Sequence, residues 1–246
     1  MLILGIETAT PQVGCAIGGP DGAVASFHSL PPAMVRAAGS GPVRGGGRHV
    51  ETLAPAIEFV CRHAGVGLDE VGAVAVDVGP GLFSGLRVGV TTGKTLAQAL
   101  RVPTLGVSSL DLLAFPVRHT DRLIVTVLDA RRGEVFYAFY RQVPGGAQRL
   151  SEYQLGTPED VASELLASGE EALVVGDGAR RYPAVLADVA RCEPGGPATA
   201  YPSAAALVEL AHPRAVREDF CPPWELEPLY LRKTDAEINW ERRVAG

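Results

Sequence analysis

Residues 76–89 read Val-Asp-Val-Gly-Pro-Gly-Leu-Phe-Ser-Gly-Leu-Arg-Val-Gly, and they join a strand-like run to a helix-like run. The preceding run, 71–78, is rich in β-branched residues, which is typical of a buried strand. Gly79 and Gly81 allow a positive φ or a close backbone approach, and the proline between them favours a turn. Ser84 is the predicted N-cap of the following helix. Such a junction either presents backbone N–H groups to an anion or packs tightly, and the sequence leaves both open.

Two phosphate-binding motifs nearly match this region, and neither fits. The glycines at 79, 81 and 85 are spaced one residue too widely for the dinucleotide-binding fingerprint. The segment from Gly89 to Gly93-Lys94-Thr95 is one residue shorter than the phosphate-loop motif, and it lies inside the predicted helix. The region therefore predicts neither of these two nucleotide sites.

Composition restricts the class of protein. The chain has 246 residues, 47% of them hydrophobic, which suffices for one large or two small cored domains. Its net charge of -6 and the lack of a basic run argue against nucleic-acid binding by this chain alone. The four cysteines are widely spaced, which favours free thiols over a zinc site or disulfides. No window approaches about 18 apolar residues, so we expect a cytoplasmic protein that does not associate with membranes.

The order of predicted elements repeats. Three strands, a helix, a strand and a helix occur in the first half and again in the second. This order indicates an α/β protein with a duplicated actin-like (ASKHA, ribonuclease H-like) fold of two βββαβα lobes; a plain doubly wound sheet is the alternative. We expect an N-terminal lobe over 1–107 and a C-terminal lobe with a tail over 108–246. The predicted strands are 2–6, 13–17, 23–28, 71–78, 104–107, 123–128, 134–140, 149–155 and 172–175. The predicted helices are 48–64, 84–100, 158–167, 179–190 and 204–212, the last packing back on the first lobe; a Gly- and Pro-rich loop fills 31–47.

Two helices of the first lobe have informative faces. Helix 48–64 repeats its apolar residues at helical spacing, and Pro55 within it predicts a bend. In helix 84–100, small residues recur every four positions and share one face: Gly85, Gly89, Gly93 and Ala97. Glycine inside a helix costs roughly 0.5–1 kcal/mol relative to alanine, so a close contact must compensate for it. That contact is either with the protein's own sheet and first helix or with a helix of another subunit.

Five segments carry a family resemblance. They read Ile-Glu-Thr-Ala-Thr at 6–10, Arg-His-Val-Glu at 48–51, Gly-Pro-Gly leading to Arg87 at 79–87, Asp-Ala-Arg-Arg-Gly-Glu-Val at 129–135, and Pro-Leu-Tyr-Leu-Arg at 228–232. Together they resemble the TsaB (YeaZ) family, and the likeness runs over nearly the whole chain. The family is a paralogue of TsaD, once described as a glycoprotease.

The resemblance implies a role in making N6-threonylcarbamoyladenosine in tRNAs that read codons starting with A. It implies a non-catalytic subunit that binds and activates TsaD, with the small ATPase TsaE assisting and tRNA met only through the complex. It also implies that helices 48–64 and 84–100 pack against the equivalent TsaD helices, or against a second copy of this chain in a homodimer. The predicted partner-interface residues are His49, Leu53, Ile57, Val60, Gly85, Leu86, Gly89, Gly93 and Ala97.

The positions expected to carry chemistry hold other residues. TsaD binds a metal through paired histidines, and the matching positions here are Ser109 and Leu113, so no metal site or catalytic residue is predicted. The turn at 129–133 has arginines where a kinase of this fold needs glycines near phosphate. A remnant site for weak ATP or ADP binding would use Thr8, Gly79, Gly81, Arg131, Gly176 and Gly178. The competing hypotheses are an ATP-dependent small-molecule kinase or nucleotide hydrolase, and a peptidase.

Overall fold

The computed structural model describes residues 1–31, 48–187, 189 and 191–232. The predicted loop at 31–47 lies outside these residues apart from Pro31, and so does the chain after Arg232. The described chain forms two mixed sheets, one in each half of the sequence.

The first sheet has five strands in the order β3-β2-β1-β4-β5. Its strands are β1 (Leu2–Glu7), β2 (Val13–Gly19), β3 (Gly22–Ser29), β4 (Val71–Gly79) and β5 (Thr104–Ser108). The first three strands are antiparallel neighbours, whereas β4 and β5 run parallel to β1. Both parallel connections contain a helix, α1 (Arg48–Ala64) before β4 and α2 (Phe83–Leu100) after it.

Both faces of this sheet are covered. Alternate residues of β1 point to opposite faces, so Leu4 and Ile6 meet α1 and α2, while Ile3 meets helix α7 (Ala204–Val216) on the other side. Parallel strands are stable only when helices bury both faces, which explains the long runs of fully buried aliphatic residues in β1 and β4. Helix α7 thus completes the core of the first sheet.

The second sheet repeats the arrangement in the order β11-β10-β6-β7-β8, with β9 also paired to β7. Its strands are β6 (Leu123–Arg131), β7 (Glu134–Val143), β8 (Gly146–Arg149), β9 (Gln154–Gly156), β10 (Ala172–Val175) and β11 (Cys192–Pro194). Three helices pack on one face, α4 (Pro158–Ser168), α5 (Asp177–Arg181) and α6 (Pro183–Ala187). The repeated order of strands confirms the duplicated actin-like fold.

A short buried helix, α3 (Ser109–Ala114), lies between the two sheets. Leu112 packs into the core of the first sheet, whereas Leu110 and Leu113 pack against the second. No described helix combines the length and the apolar character that crossing a bilayer requires.

Several predicted boundaries are wrong. The predicted strand 149–155 is two short strands, β8 and β9. The predicted helix 179–190 is replaced by α5 and α6, because Tyr182 leaves the helical conformation before Pro183. Helix α2 begins at Phe83 with Leu82 at the N-cap, so the predicted cap at Ser84 lies inside the first turn.

The small-residue face of α2 packs on the protein's own sheet. A methyl group added at Gly85 would overlap the carbonyl of Thr8, and one added at Gly89 would overlap the Thr8 hydroxyl. At Gly93 it would overlap the Val76 side chain on β4. The alternative in which this face meets another subunit is therefore wrong, because β1 and β4 already occupy the space.

We expect Gly93→Ala to lower the free energy of unfolding by up to about 2 kcal/mol. The new methyl group overpacks against the fully buried Val76, which costs about 1–3 kcal/mol. The better helix propensity of alanine offsets about 1 kcal/mol of this cost. Urea unfolding measures the change, with Thr91→Ala on the exposed face of the same helix as the matched control, expected within about 0.5 kcal/mol of wild type. A Gly93→Ala chain that is about 1 kcal/mol more stable than wild type, the gain that helix propensity alone gives, would contradict the close contact.

Candidate functional site

The turns that end β1 and β4 lie in direct contact. The amide of Leu82 donates to the carbonyl of Ala9 at 2.6 Å, and a side chain at Gly81 would overlap the same carbonyl. Thr8 donates its hydroxyl to the carbonyl of Gly85 at 2.8 Å, which fixes the first turn of α2 against β1. The Gly-Pro-Gly turn therefore packs tightly, the second of the two alternatives left by the sequence.

The turn from β6 to β7 faces these turns across the two lobes. Arg131 and Arg132 both adopt the left-handed conformation, which non-glycine residues rarely adopt. The guanidinium of Arg131 lies 3.3 Å from the carboxylate of Asp129, and that of Arg181 lies 3.5 Å from it. Arg131 thus already pairs with a carboxylate of the same turn.

Little space remains between the lobes at this point. The cavity lined by Gly81, Arg131 and the β1–β2 turn has a volume of about 10 Å³. That is about the space that one water molecule needs, so the facing turns leave no room for a phosphate group at this point. A larger cavity, of about 470 Å³, lies elsewhere between residues of the two lobes, among them His28 and Arg180.

The remaining predicted nucleotide-binding glycines have structural roles. Gly176 has a φ of 109°, and both Gly176 and Gly178 lie so close to Val127 on β6 that a side chain would overlap it. Gly79 also has a positive φ, 103°, and its amide donates to Asp77 at 2.8 Å. The structure brings Gly81 and Arg131 together, but it uses Thr8, Gly79, Gly176 and Gly178 for packing and turn geometry.

A buried carboxylate pair lies beneath the first turn. Glu7 and Asp77 end the neighbouring strands β1 and β4, and both are fully buried. Glu7 accepts from the amide of Ala9 at 3.0 Å, while Asp77 accepts from Gly79 and from the hydroxyl of Ser109 at 2.6 Å. The second carboxylate oxygen of Asp77 has no hydrogen-bond partner in the described part of the chain.

Burial changes the ionisation of these acids. Loss of solvent, and then the charge of Asp77, raises the pKa of Glu7 well above its usual value. Burial raises the pKa of Asp77 to about 7, although its hydrogen bonds from Ser109 and Gly79 oppose the shift. Burial likewise raises the pKa of Asp177 to about 7 in the second lobe. At neutral pH the Glu7–Asp77 pair therefore holds a proton. Sequence reasoning missed this pair, although polar residues at the ends of adjacent parallel strands are a readable signal.

The positions matched to the metal-binding histidines of TsaD belong to the core. Ser109 donates to Asp77, and Leu113 is buried against the second sheet. Among residues 1–31, 48–187, 189 and 191–232, no three His, Cys, Asp or Glu side chains come close enough to hold a metal together.

The predicted partner-interface residues are all buried inside the chain. His49 contacts the carbonyl of Thr10 at 2.8 Å, and Leu53, Ile57 and Val60 pack on the first sheet. Leu86 and Ala97 are at most 1% exposed, and the glycines of α2 lie against β1 and β4. These nine residues therefore cannot form a contact surface in this conformation, because helical periodicity identified the inward faces of α1 and α2.

The outward faces of the same two helices are open to solvent. The exposed residues are Val50, Glu51, Ala54, Pro55, Glu58, Phe59, Arg62 and His63 on α1, and Phe83, Ser84, Arg87, Thr91, Thr95, Gln98 and Ala99 on α2. Both helices pack on one face of the sheet through a single hydrophobic cluster, so these outward faces lie on the same side of the lobe. We call this surface the helix-pair face.

Comparison with known proteins gives consistent results. The family model of TsaD, tRNA N6-adenosine threonylcarbamoyltransferase, matches residues 33–240. The tRNA threonylcarbamoyladenosine biosynthesis protein TsaB of Bacillus subtilis is 27% identical, over 98% of this chain and 98% of that protein. A Mycobacterium leprae protein described as uncharacterized is 35% identical over 96% of this chain, which spans only 56% of that protein. The solved structure of YeaZ from Pseudomonas aeruginosa superposes with a TM-score of 0.75 at 25% identity, covering 94% of this chain and 99% of that one.

The buried carboxylates predict a stability that falls as the pH rises. The folded-state pKa of Asp77, about 7, lies above the unfolded value of about 3.9, so between these limits the folded state keeps a proton that the unfolded chain has lost. We expect Asp77→Asn to reduce the fall in the free energy of unfolding with pH by up to about 1.4 kcal/mol per pH unit. Glu7 and Asp177, whose pKa values are also raised, still make the stability of this variant fall as the pH rises.

Urea unfolding from pH 5 to pH 8 measures this slope. Asp121→Asn, which alters an exposed carboxylate, is the matched control and should follow wild type. Equal slopes for wild type and Asp77→Asn would contradict the assignment of a proton to the pair.

Proposed function

We propose that this chain, which belongs to the TsaB (YeaZ) family within the wider TsaD family, is a non-catalytic subunit in the biosynthesis of N6-threonylcarbamoyladenosine in tRNA. In this proposal the chain binds TsaD and activates it. TsaE and tRNA join through the resulting complex. The named biosynthesis proteins from three bacteria support the pathway.

The observation that carries the non-catalytic role is the narrow gap between the turns that face each other across the two lobes. A phosphoryl-transferring protein must place a nucleotide against donor groups, and catalysis depends on that positioning. Here the two facing turns leave about 10 Å³, and Arg131 is paired with Asp129. This arrangement disfavours a kinase or nucleotide hydrolase, and the replacement of both expected histidines by Ser109 and Leu113 disfavours a peptidase of the TsaD type.

The helix-pair face supports a helix-to-helix contact with TsaD. Thr91 and Thr95 lie one turn apart on α2, and Ala54 and Pro55 lie on the exposed side of α1. Short side chains let a partner helix approach within the usual interaxial distance of about 8–10 Å or closer. Val50, with 64% of its surface exposed, supplies apolar area that association would bury. The proposed interface thus uses the predicted helices but their opposite faces.

A substitution on this face tests the contact. We expect Thr91→Arg to weaken binding to the cognate TsaD at least ten-fold, because a long cation replaces a short side chain at the helix contact. Isothermal titration calorimetry measures the affinity, and circular dichroism checks that the variant is folded. Gln148→Arg, which adds the same charge to an exposed strand of the second lobe, is the matched control and should bind like wild type. Wild-type affinity of a folded Thr91→Arg chain would remove α2 from the proposed interface.

Reconstitution tests the activity itself. Purified TsaD, TsaE, the threonylcarbamoyl-adenylate synthase, ATP, threonine, bicarbonate and unmodified tRNA are combined with and without this chain. We expect modified adenosine only when the chain is present, and no ATP turnover by the chain alone. Modification without the chain, together with ATP hydrolysis by the chain alone, would favour the kinase or hydrolase hypothesis instead.

A further inference from the structure

A further cavity lies away from both the facing turns and the helix-pair face. It has a volume of about 270 Å³ and is lined by α3, the β7–β8 hairpin and α7. Its walls include the apolar side chains of Phe115 and Leu210 and two charged groups, Asp111 and Arg149. One water molecule needs about 10–15 Å³ on this measure, so the cavity is large enough for a small organic ligand.

Asp111 presents an unneutralised carboxylate to this cavity. Tyr140 donates to one of its oxygens at 2.8 Å, and Tyr153 donates to the other at 2.8 Å. Burial and the neighbouring Asp111 charge raise the pKa of both tyrosines, so their hydroxyls stay protonated. A carboxylate has about four acceptor positions, so roughly two remain. Asp111 forms no ion pair with any described residue, and a half-buried anion of this kind favours a cationic ligand group.

Arg149 supplies the opposite charge. Its guanidinium carbon lies 3.8 Å above the centre of the Tyr153 ring, and this stacking orients the planar cation. Its ion pair with Glu152 is long, 4.0 Å, and the Glu152 side chain is 93% exposed. Such a pair contributes little, so the N–H groups of Arg149 remain able to bind a carboxylate in a forked geometry.

The Tyr153 ring keeps the two charges apart. The guanidinium lies over the face of the ring, whereas the carboxylate lies beyond the hydroxyl at its edge. Ring geometry then places the groups roughly 7 Å apart, which leaves room for an ammonium and a carboxylate with hydrogen bonds of about 2.9 Å each. An α-amino acid carries both groups on one carbon atom, so its ammonium and carboxylate lie close enough together to fit between these two charges.

We propose that this cavity binds a small free α-amino acid as its zwitterion, with the ammonium on Asp111 and the carboxylate on Arg149. The apolar walls then contact a short side chain. The proposal does not depend on the proposed function, since it concerns the isolated chain.

Calorimetric titration of the full chain tests the proposal. The probes are L-alanine, L-serine and L-threonine, with propionate and ethylamine as compounds that lack one of the two charges. We expect saturable binding of at least one amino acid and at least ten-fold weaker binding of both single-charge compounds. Arg149→Gln should weaken amino-acid binding at least ten-fold, whereas Arg141→Gln, an exposed arginine on β7 paired with Glu170, should leave it unchanged.

Three results would overturn the proposal. They are no saturable binding of any of the three amino acids, equal binding of propionate, and unchanged affinity in Arg149→Gln. Asp111→Asn serves as a second variant, because it removes the proposed ammonium contact. Since Asp111 also joins two tyrosines, Arg149→Gln decides the question if the asparagine variant fails to fold.

Discussion

The close contact of α2 with the first sheet is the constraint on which the rest of the structure depends. Gly85, Gly89 and Gly93 bring the helix backbone directly against Thr8 and Val76, and a side chain at any of these glycines would overlap the sheet. The Thr8 hydroxyl then holds the first turn of the helix. Because the helix begins immediately after the Gly-Pro-Gly turn, this contact also brings the turn onto the β1–β2 loop. The intrinsic cost of three helical glycines is thereby offset within the lobe.

This packing changes the role of the acidic groups at the strand ends. Glu7 and Asp77 bond to their own turns and to Ser109, and Asp129 in the second lobe bonds to Arg131 and Arg181. Apart from the second oxygen of Asp77, these carboxylates therefore hold the turns around them. The tight packing of the turns buries Asp77, and this burial raises the pKa of its carboxyl group.

The sequence was sufficient to predict the elements that have a strong hydrophobic periodicity. It was not sufficient to predict which part of the structure each face packs against. Helix 48–64 was predicted with its observed bounds, because its apolar stripe is unbroken. Helix 179–190 was wrong because Pro183 interrupts a stretch of good helix formers. The interface residues were wrong for another reason: periodicity shows which residues share a face, but the choice between the protein's own sheet and a partner depends on tertiary structure. The cavity at Asp111 joins residues distant in sequence, from α3, β7 and the chain near Tyr153, and no local pattern reports it.

The two faces of α2 have different roles: one packs inside the lobe and the other is open to a partner. In the sequence analysis, both roles were assigned to the glycine face. The inward face needs glycine so that the backbone can touch the strands, and this need is met within one chain. The outward face carries short polar residues such as Thr91 and Thr95, which tolerate both solvent and a closely packed helix. A subunit that works through its surface needs a rigid lobe rather than an open cleft, and the glycine contact supplies that rigidity. The narrow gap between the facing turns and the exposed helix pair therefore support the same proposed function.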